Sequence, residues 1–169
     1  MQNIVLVGFM GSGKTTVGKL IAEKTDMTLL DMDSMIEERV GKTINDIFAN
    51  EGEAHFRMLE REMVKELSTS EGNIISTGGG IVLNADNIAD FEKSGLVVCL
   101  LVDHQTVIDR LRHDTTRPLL VGEKETKILE ILESRKHLYG AIRHRISTNG
   151  RSPTSIAQEI IDLYDSNKP

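Results

Sequence analysis

The amino-acid sequence predicts an α/β domain in which helices cover both faces of a parallel β-sheet. Short apolar runs alternate with segments of helical periodicity along the 169 residues, an order typical of parallel sheets. The predicted strands are 3–7, 28–30, 73–76, 96–102 and, more weakly, 145–148. The predicted helices are 14–25, 34–67 with an interruption near 50–52, 84–94, 104–112, 124–142 and 153–165. Since no repeat or linker divides the chain, we expect one domain over residues 1–169.

Composition and charge exclude several classes of protein. The chain is 39% hydrophobic and 27% charged, as is ordinary for a globular domain, and its net charge is −6. That charge argues against general affinity for nucleic acid or anionic membranes. No signal-peptide pattern is visible, and no apolar run approaches the ~20 residues that span a bilayer. Cys99 lies in an apolar run, which predicts a buried, unreactive thiol. We therefore expect a cytoplasmic protein, and nothing indicates an obligate oligomer, so a monomer.

A glycine-rich loop joins the first predicted strand to the first predicted helix. Residues 8–15 read Gly-Phe-Met-Gly-Ser-Gly-Lys-Thr, which matches the P-loop pattern G-x-x-x-x-G-K-[ST]. Glycines allow backbone N–H groups to surround phosphate oxygens, and the helix adds its N-terminal dipole. Lys14 is expected to reach the β- and γ-phosphates, and Thr15 to ligate Mg²⁺. The loop therefore predicts a nucleoside triphosphate site, with a plain glycine-rich turn as the less favoured alternative.

Two aspartates, Asp31 and Asp33, follow the second predicted strand. Alternation along an extended strand would direct both carboxylates to one side. One could hold Mg²⁺ through water, and the other could accept a proton from an attacking hydroxyl. The alternative is that Asp33 only caps the helix predicted to begin near Ser34. Beside a phosphate-binding loop, we favour the functional interpretation.

Three further patterns could contribute to a site. Arg57 and Glu60 are three residues apart on a predicted helix, so Glu60 could orient the guanidinium, although spacing alone favours an exposed ion pair. An apolar strand runs into the triplet 78–80, where the position at the strand's carboxyl end favours a loop that contacts a ligand over a plain flexible turn. Arg135 and Tyr139 share a helix face, which taken alone favours a surface position.

A polar loop over residues 113–123 is surrounded by basic residues. Within it, Arg117 precedes the run Pro-Leu-Leu. An arginine on a mobile lid could stabilise the charge of a transferring phosphate. The alternative is a solvated basic face. The histidines show no metal-ligand spacing.

In their order along the chain, these blocks resemble the shikimate kinase family, which are P-loop kinases of the nucleoside monophosphate kinase fold group. The resemblance covers nearly the whole chain. It implies a three-layer αβα fold with a central five-stranded parallel sheet in the order 2-3-1-4-5. It also implies a helical substrate-binding insertion over about residues 33–62 and a lid over about residues 112–124. The family phosphorylates the 3-hydroxyl of shikimate with ATP, a step towards chorismate and the aromatic amino acids.

The resemblance also implies a role for each candidate residue. The catalytic residues would be Asp33, as proton acceptor, with Lys14 and Arg117. Shikimate would be bound by Asp33, Arg57, Gly79 and Arg135, beside an apolar wall of Ile44, Phe48 and Phe56. The nucleotide would be bound by Gly11, Ser12, Gly13, Lys14, Thr15, Thr16, Arg110, Arg117, Arg151 and Pro153. Mg²⁺ would be held by Thr15 and, through water, by Asp31.

Three other functions fit parts of this pattern. A kinase of another small hydroxylated substrate, such as gluconate, would share the P-loop but gives no reason for Arg57, Arg135 and Asp33 together. A nucleoside monophosphate kinase would need a second base-binding pocket and usually a longer chain. A GTPase-like switch would need an N-K-x-D motif, whereas the one Asn-Lys pair is Asn167-Lys168 at the end of this sequence.

Overall fold

The computed structural model describes residues 2–113 and 123–168, and five parallel strands form one sheet in the order β2-β3-β1-β4-β5. The strands are β1 (Asn3–Gly8), β2 (Thr28–Asp31), β3 (Asn73–Ser76), β4 (Gly95–Leu101) and β5 (His144–Ser147). The predicted fold class and strand order are confirmed, and each strand lies within two residues of its predicted position.

Helices pack on both faces of this sheet. They are α1 (Lys14–Lys24), α2 (Met32–Val40), α3 (Ile44–Asn50), α4 (Glu53–Leu67), α5 (Ala85–Ser94), α6 (His104–Arg112), α7 (Glu123–Gly140) and α8 (Pro153–Ser166). Successive side chains of a strand point to opposite faces. Accordingly, Ile4 and Leu6 pack with residues of α1 and α8, whereas Val5 and Val7 pack with residues of α2 to α7. These two buried clusters produce the three layers.

The segment predicted as a long helix over residues 34–67 is three helices. The predicted interruption is confirmed, since Gly52 has φ 89° between α3 and α4. A second break was missed: Gly41 ends α2 with φ 68°, in the left-handed region that favours glycine. Thr43 then caps α3, because its Oγ1 accepts from the backbone N–H of Asp46 at 3.1 Å. The result is a compact helical region above the carboxyl ends of β2 and β3.

Close packing against the sheet sets the position of α1. A side-chain carbon added at Gly18 would lie 2.7 Å from Leu29 Cδ1, so only glycine lets the helix approach β2 this closely. The predicted burial of Cys99 in β4 is confirmed, and burial raises the pKa of its thiol to about 12. Over the described ranges, no helix has the length and apolar character needed to cross a membrane.

Candidate active site

The phosphate-binding loop lies between β1 and α1, as the sequence predicts. Gly11 and Gly13 have φ of 74° and 92°, which glycine adopts without steric cost. Gly13 is the N-cap of α1 and offers no side-chain acceptor, so the first N–H groups of the helix can bind an anion. Lys14 folds back over the loop, where its Nζ donates to the carbonyl oxygens of Gly8 at 2.6 Å and Phe9 at 3.0 Å. A cation and several amide donors therefore converge on one cradle.

Oxygen atoms from three elements meet beside this loop. Thr15 Oγ1 donates to Asp31 Oδ2 at 3.1 Å and lies 3.3 Å from Ser76 Oγ. Asp31 and Ser76 are paired residues at the ends of β2 and β3. Mg²⁺ prefers oxygen ligands and retains several waters, so this donor set suits it when phosphate and water complete the shell. Among the residues that the structure describes, no cluster of three His, Cys, Asp or Glu side chains could hold a metal ion.

The alternative that Asp33 only caps the predicted helix does not hold, because another residue caps α2. Asp31 is the N-cap, because its Oδ1 accepts from the backbone N–H of Ser34 at 3.1 Å. Asp33 lies in the first helical turn, so the argument from strand alternation does not apply to it. The helix turns the Asp33 carboxylate towards the glycine triplet instead: a carbon added at Gly78 would lie 2.9 Å from Asp33 Oδ1.

The triplet Gly78-Gly79-Gly80 is the meeting point of the charged side chains. The added carbon at Gly78 would also lie 3.1 Å from Glu60 Oε2. At Gly80 such a carbon would clash with the Arg57 guanidinium, because it would lie 2.6 Å from Cζ. The Gly79 carbonyl accepts from Arg135 Nη1 at 3.2 Å and from the Tyr139 hydroxyl at 2.7 Å. The glycines therefore leave room for two carboxylates and two guanidinium groups, and these contacts argue against the less favoured alternative of a plain flexible turn.

The ion pair of Arg57 and Glu60 joins a buried carboxylate to a partly exposed guanidinium, so the expectation of an exposed pair is wrong. Arg57 Nη1 lies 3.0 Å from Glu60 Oε1, and Nη2 lies 3.3 Å from Glu53 Oε1. Glu60 is 1% exposed, and burial raises the pKa of its carboxyl against the opposing charge of Arg57. Arg57 Nε and Glu60 Oε2 are buried without a hydrogen-bond partner among the described residues. Such atoms are costly unless a ligand or water satisfies them.

Aromatic side chains border the guanidinium of Arg57. The Phe48 and Phe56 rings lie 5.0 Å apart between centroids, and Arg57 Cζ lies 5.2 Å from the Phe56 centroid. Phe56 is buried, Phe48 is partly exposed, and Ile44 packs against the same core. Of the predicted apolar residues, Phe56 therefore contacts Arg57, and Phe48 packs against Phe56.

The residues predicted to contact adenine lie on α6 and on the connection from β5 to α8. Arg110 on α6 donates to the Gly11 carbonyl at 2.7 Å, which places its guanidinium beside the phosphate loop. Arg151 follows β5 and pairs with Glu159 at 2.6 Å, and Pro153 is the first residue of α8. Arg117 and most of the predicted lid lie outside the described residues.

Two site residues were not singled out for a role from the sequence. Ser76 is a polar residue at the end of the apolar run Ile74-Ile75, a signal that could have been used. Tyr139 was noted only for its spacing from Arg135, and its burial raises the pKa of the phenol to about 12. Its hydroxyl therefore stays protonated and available as a donor.

A phosphate-binding loop that faces clustered arginine and carboxylate side chains defines a P-loop kinase of a small anionic acceptor. The chain belongs to the shikimate kinase family, since the family model "Shikimate kinase" matches residues 10–165. A shikimate kinase of Sulfurihydrogenibium sp. (strain YO3AOP1) is 47% identical over 161 residues, 95% of this chain and 96% of that protein.

Solved structures agree with this assignment. The shikimate kinase from Acinetobacter baumannii in complex with shikimate has a TM-score of 0.89 at 39% identity and covers 99% of this chain and 95% of its own. A gluconokinase from Sinorhizobium meliloti has a TM-score of 0.60 at 19% identity, with 98% of this chain and 94% of that chain covered. At that identity the second likeness shows a shared fold alone.

Proposed function

We propose that the chain transfers the γ-phosphoryl group of ATP to the 3-hydroxyl of shikimate, giving shikimate 3-phosphate and ADP. The observation that carries this proposal is the glycine triplet 78–80, which contacts two guanidinium groups and two carboxylates. The same triplet faces the phosphate loop, because a carbon added at Gly79 would lie 3.5 Å from the backbone nitrogen of Met10. Shikimate is a small ring with one carboxylate and three hydroxyls, and this set of partners is complementary to it.

Arg57 and Arg135 bind the carboxylate of the acceptor. A planar guanidinium can hold a carboxylate through two parallel hydrogen bonds, which fixes orientation as well as position. Glu60 and Glu53 pair with Arg57, and the Gly79 carbonyl accepts a hydrogen bond from Arg135. The two cations are therefore preorganised before the acceptor arrives, which lowers the entropic cost of binding.

Asp33 accepts hydrogen bonds from the ring hydroxyls and takes the proton of the attacking 3-hydroxyl. Its place in the first turn of α2, with the carboxylate close to Gly78, supports this role, because Gly79 and Gly80 of the same triplet lie beside Arg135 and Arg57. Phosphoryl transfer depends mainly on alignment and charge stabilisation. A carboxylate that aligns the hydroxyl and accepts its proton supplies what the acceptor side requires.

The P-loop binds the nucleotide phosphates. Backbone amides of residues 11–16 surround the phosphate oxygens, and Lys14 exchanges its carbonyl contacts for the β- and γ-phosphates. Thr15, with Asp31 through water, holds Mg²⁺, which when bound neutralises charge on those phosphates. Arg110, Arg151 and Pro153 line the base.

The chain acts as a single domain over 1–169, with its acceptor-binding insertion at about 33–62 and a lid at about 112–124 that brings Arg117 to the phosphates. Exclusion of water by such a lid protects the phosphoryl group from hydrolysis. We propose a monomeric, cytoplasmic enzyme that serves chorismate and aromatic amino acid synthesis.

The test is release of ADP from ATP and Mg²⁺ with and without shikimate, followed by a coupled assay. Shikimate should accelerate ADP release, and gluconate or a nucleoside monophosphate should not. No acceleration by shikimate would refute the proposal, and guanine specificity without acceptor-dependent turnover would favour a nucleotide switch. Asp33→Asn should abolish most turnover and retain ATP binding by calorimetry. Retained turnover in that variant would remove Asp33 from proton transfer.

A further inference from the structure

A buried serine lies against the proposed metal ligand, and the function proposed above assigns it no role. Ser76 ends β3, is 2% exposed, and has its Oγ 3.3 Å from Thr15 Oγ1. It is the residue paired with Asp31 across the parallel strands β2 and β3. Three oxygen-bearing side chains from different parts of the chain therefore meet at one edge of the sheet.

The chemistry of the groups fixes the direction of the hydrogen bonds among them. A carboxylate only accepts, so the hydrogen of the Thr15 hydroxyl goes to Asp31 Oδ2, 3.1 Å away. A hydroxyl has one hydrogen and two lone pairs. Thr15 Oγ1 can therefore only accept from Ser76, and Ser76 is the donor. One lone pair of Thr15 is left for another partner.

We infer that Ser76 is a positioning residue for the metal–nucleotide site, an inference that rests on the proposed kinase function. Its hydroxyl holds Thr15 in the orientation in which Asp31 takes the hydrogen and the remaining lone pair is available to Mg²⁺. Ser76 is itself held in place, because the next residue, Thr77, donates to the Leu6 carbonyl from its backbone nitrogen at 3.1 Å and its hydroxyl at 2.9 Å. These bonds tie the end of β3 to β1, so the serine acts from a rigid position.

Without this donor, the metal ion must order the threonine when it binds. An ordered side chain costs entropy at the moment of binding, and a prepositioned one does not. Loss of the Ser76 hydroxyl should therefore weaken the contribution of Mg²⁺ to nucleotide binding and leave nucleotide binding without metal unchanged.

The experiment measures ADP binding by isothermal titration calorimetry, in saturating Mg²⁺ and in EDTA, and requires no turnover. The dissociation constant in EDTA divided by the dissociation constant in Mg²⁺ gives a ratio that reports the contribution of the metal. Ser76→Ala should reduce this ratio about three- to tenfold, the effect of one hydrogen bond, with the value in EDTA unchanged. Ser94→Ala is the matched control, since it removes a serine hydroxyl that donates to the Phe91 carbonyl at 3.0 Å near the end of α5, and its ratio should equal that of the wild type.

A second background tests whether Ser76 acts through Thr15. Serine is freer about χ1 than β-branched threonine. Ser76→Ala should therefore lower the ratio by a larger factor in a Thr15→Ser background than in the wild type. The inference is overturned if Ser76→Ala leaves the ratio unchanged, if ADP binding in EDTA falls by the same factor, or if the loss is no larger in Thr15→Ser. Thermal unfolding without ligand checks that each variant is folded. If the wild type shows no shikimate-dependent ADP release, the proposed function fails, whereas the calorimetric ratio still decides the role of Ser76.

Discussion

Gly80→Ala should disable the acceptor site through Arg57 and leave the fold intact. Gly80 has φ −97° and ψ 9°, which alanine can adopt, so the backbone is not strained. The new methyl group would lie 2.6 Å from Arg57 Cζ, about 1 Å inside the ~3.5 Å of an ordinary carbon contact. The guanidinium, at the end of a flexible side chain, must therefore leave the position in which it pairs with Glu60 and in which we propose that it binds the acceptor carboxylate.

The loss of one charged hydrogen bond costs about 1.5–3 kcal/mol, so kcat/KM for shikimate should fall about 10- to 150-fold. Steady-state kinetics should show this loss with the KM for ATP unchanged. An alanine at Gly140, where no heavy atom of the described residues would lie within 4 Å of the added carbon, is the control. An unchanged KM for shikimate in Gly80→Ala would refute the reasoning. So would an equal loss in an Arg57→Ala background, because the methyl group would then act by another route.

Three further substitutions test the site and its support. Tyr139→Phe removes the 2.7 Å hydrogen bond to the Gly79 carbonyl, so the KM for shikimate should rise about two- to tenfold with the KM for ATP unchanged; an unaltered KM for shikimate would contradict this. Burial raises the pKa of Glu60, so its contribution to stability is fully present below the ordinary pKa of 4.5 and is lost as pH rises through the shifted value. Denaturant unfolding from about pH 4 to about pH 8 should therefore show the wild type losing stability relative to Glu60→Gln as pH rises. A difference in stability that stays constant with pH would argue against a raised pKa for the buried Glu60 carboxyl. Gly18→Ala should lower the free energy of unfolding by about 1–2 kcal/mol, because the added carbon would lie 2.7 Å from Cδ1 of the partly buried Leu29. Gly140→Ala should not lower it, and equal unfolding midpoints for the two variants would exclude this overpacking.

The alternation of apolar runs and helical segments was enough to predict the class of the fold, because both patterns are local. The breaks within the helical region were only half predictable. Gly52 follows two polar residues and marks its turn clearly, whereas Gly41 lies between helical segments of similar composition. What identifies the second break is its left-handed φ of 68° and the cap from Thr43, and both are properties of the folded backbone.

The residues of the candidate site could also be predicted only in part from local sequence patterns. The motif of the phosphate loop specifies Lys14 and Thr15 by sequence alone. The neighbours of Thr15 do not follow from any local pattern, because Ser76 is 61 residues away and reaches it only through the order of the strands. Spacing placed Glu60 beside Arg57 correctly but suggested exposure, since burial depends on the glycine triplet that packs over the pair.

Asp31 has a consequence for attempts to redesign the acceptor specificity of this scaffold. One of its oxygens caps α2, the helix that carries Asp33, and the other accepts from Thr15 beside the phosphate loop. A substitution of Asp31 would therefore disturb both α2 and the nucleotide site at Thr15, and it could not change one without the other. Libraries aimed at new acceptors should therefore keep Asp31 fixed and place their diversity further along the helical region. The identity of residue 34 is less restricted, because Ser34 reaches Asp31 through its backbone N–H.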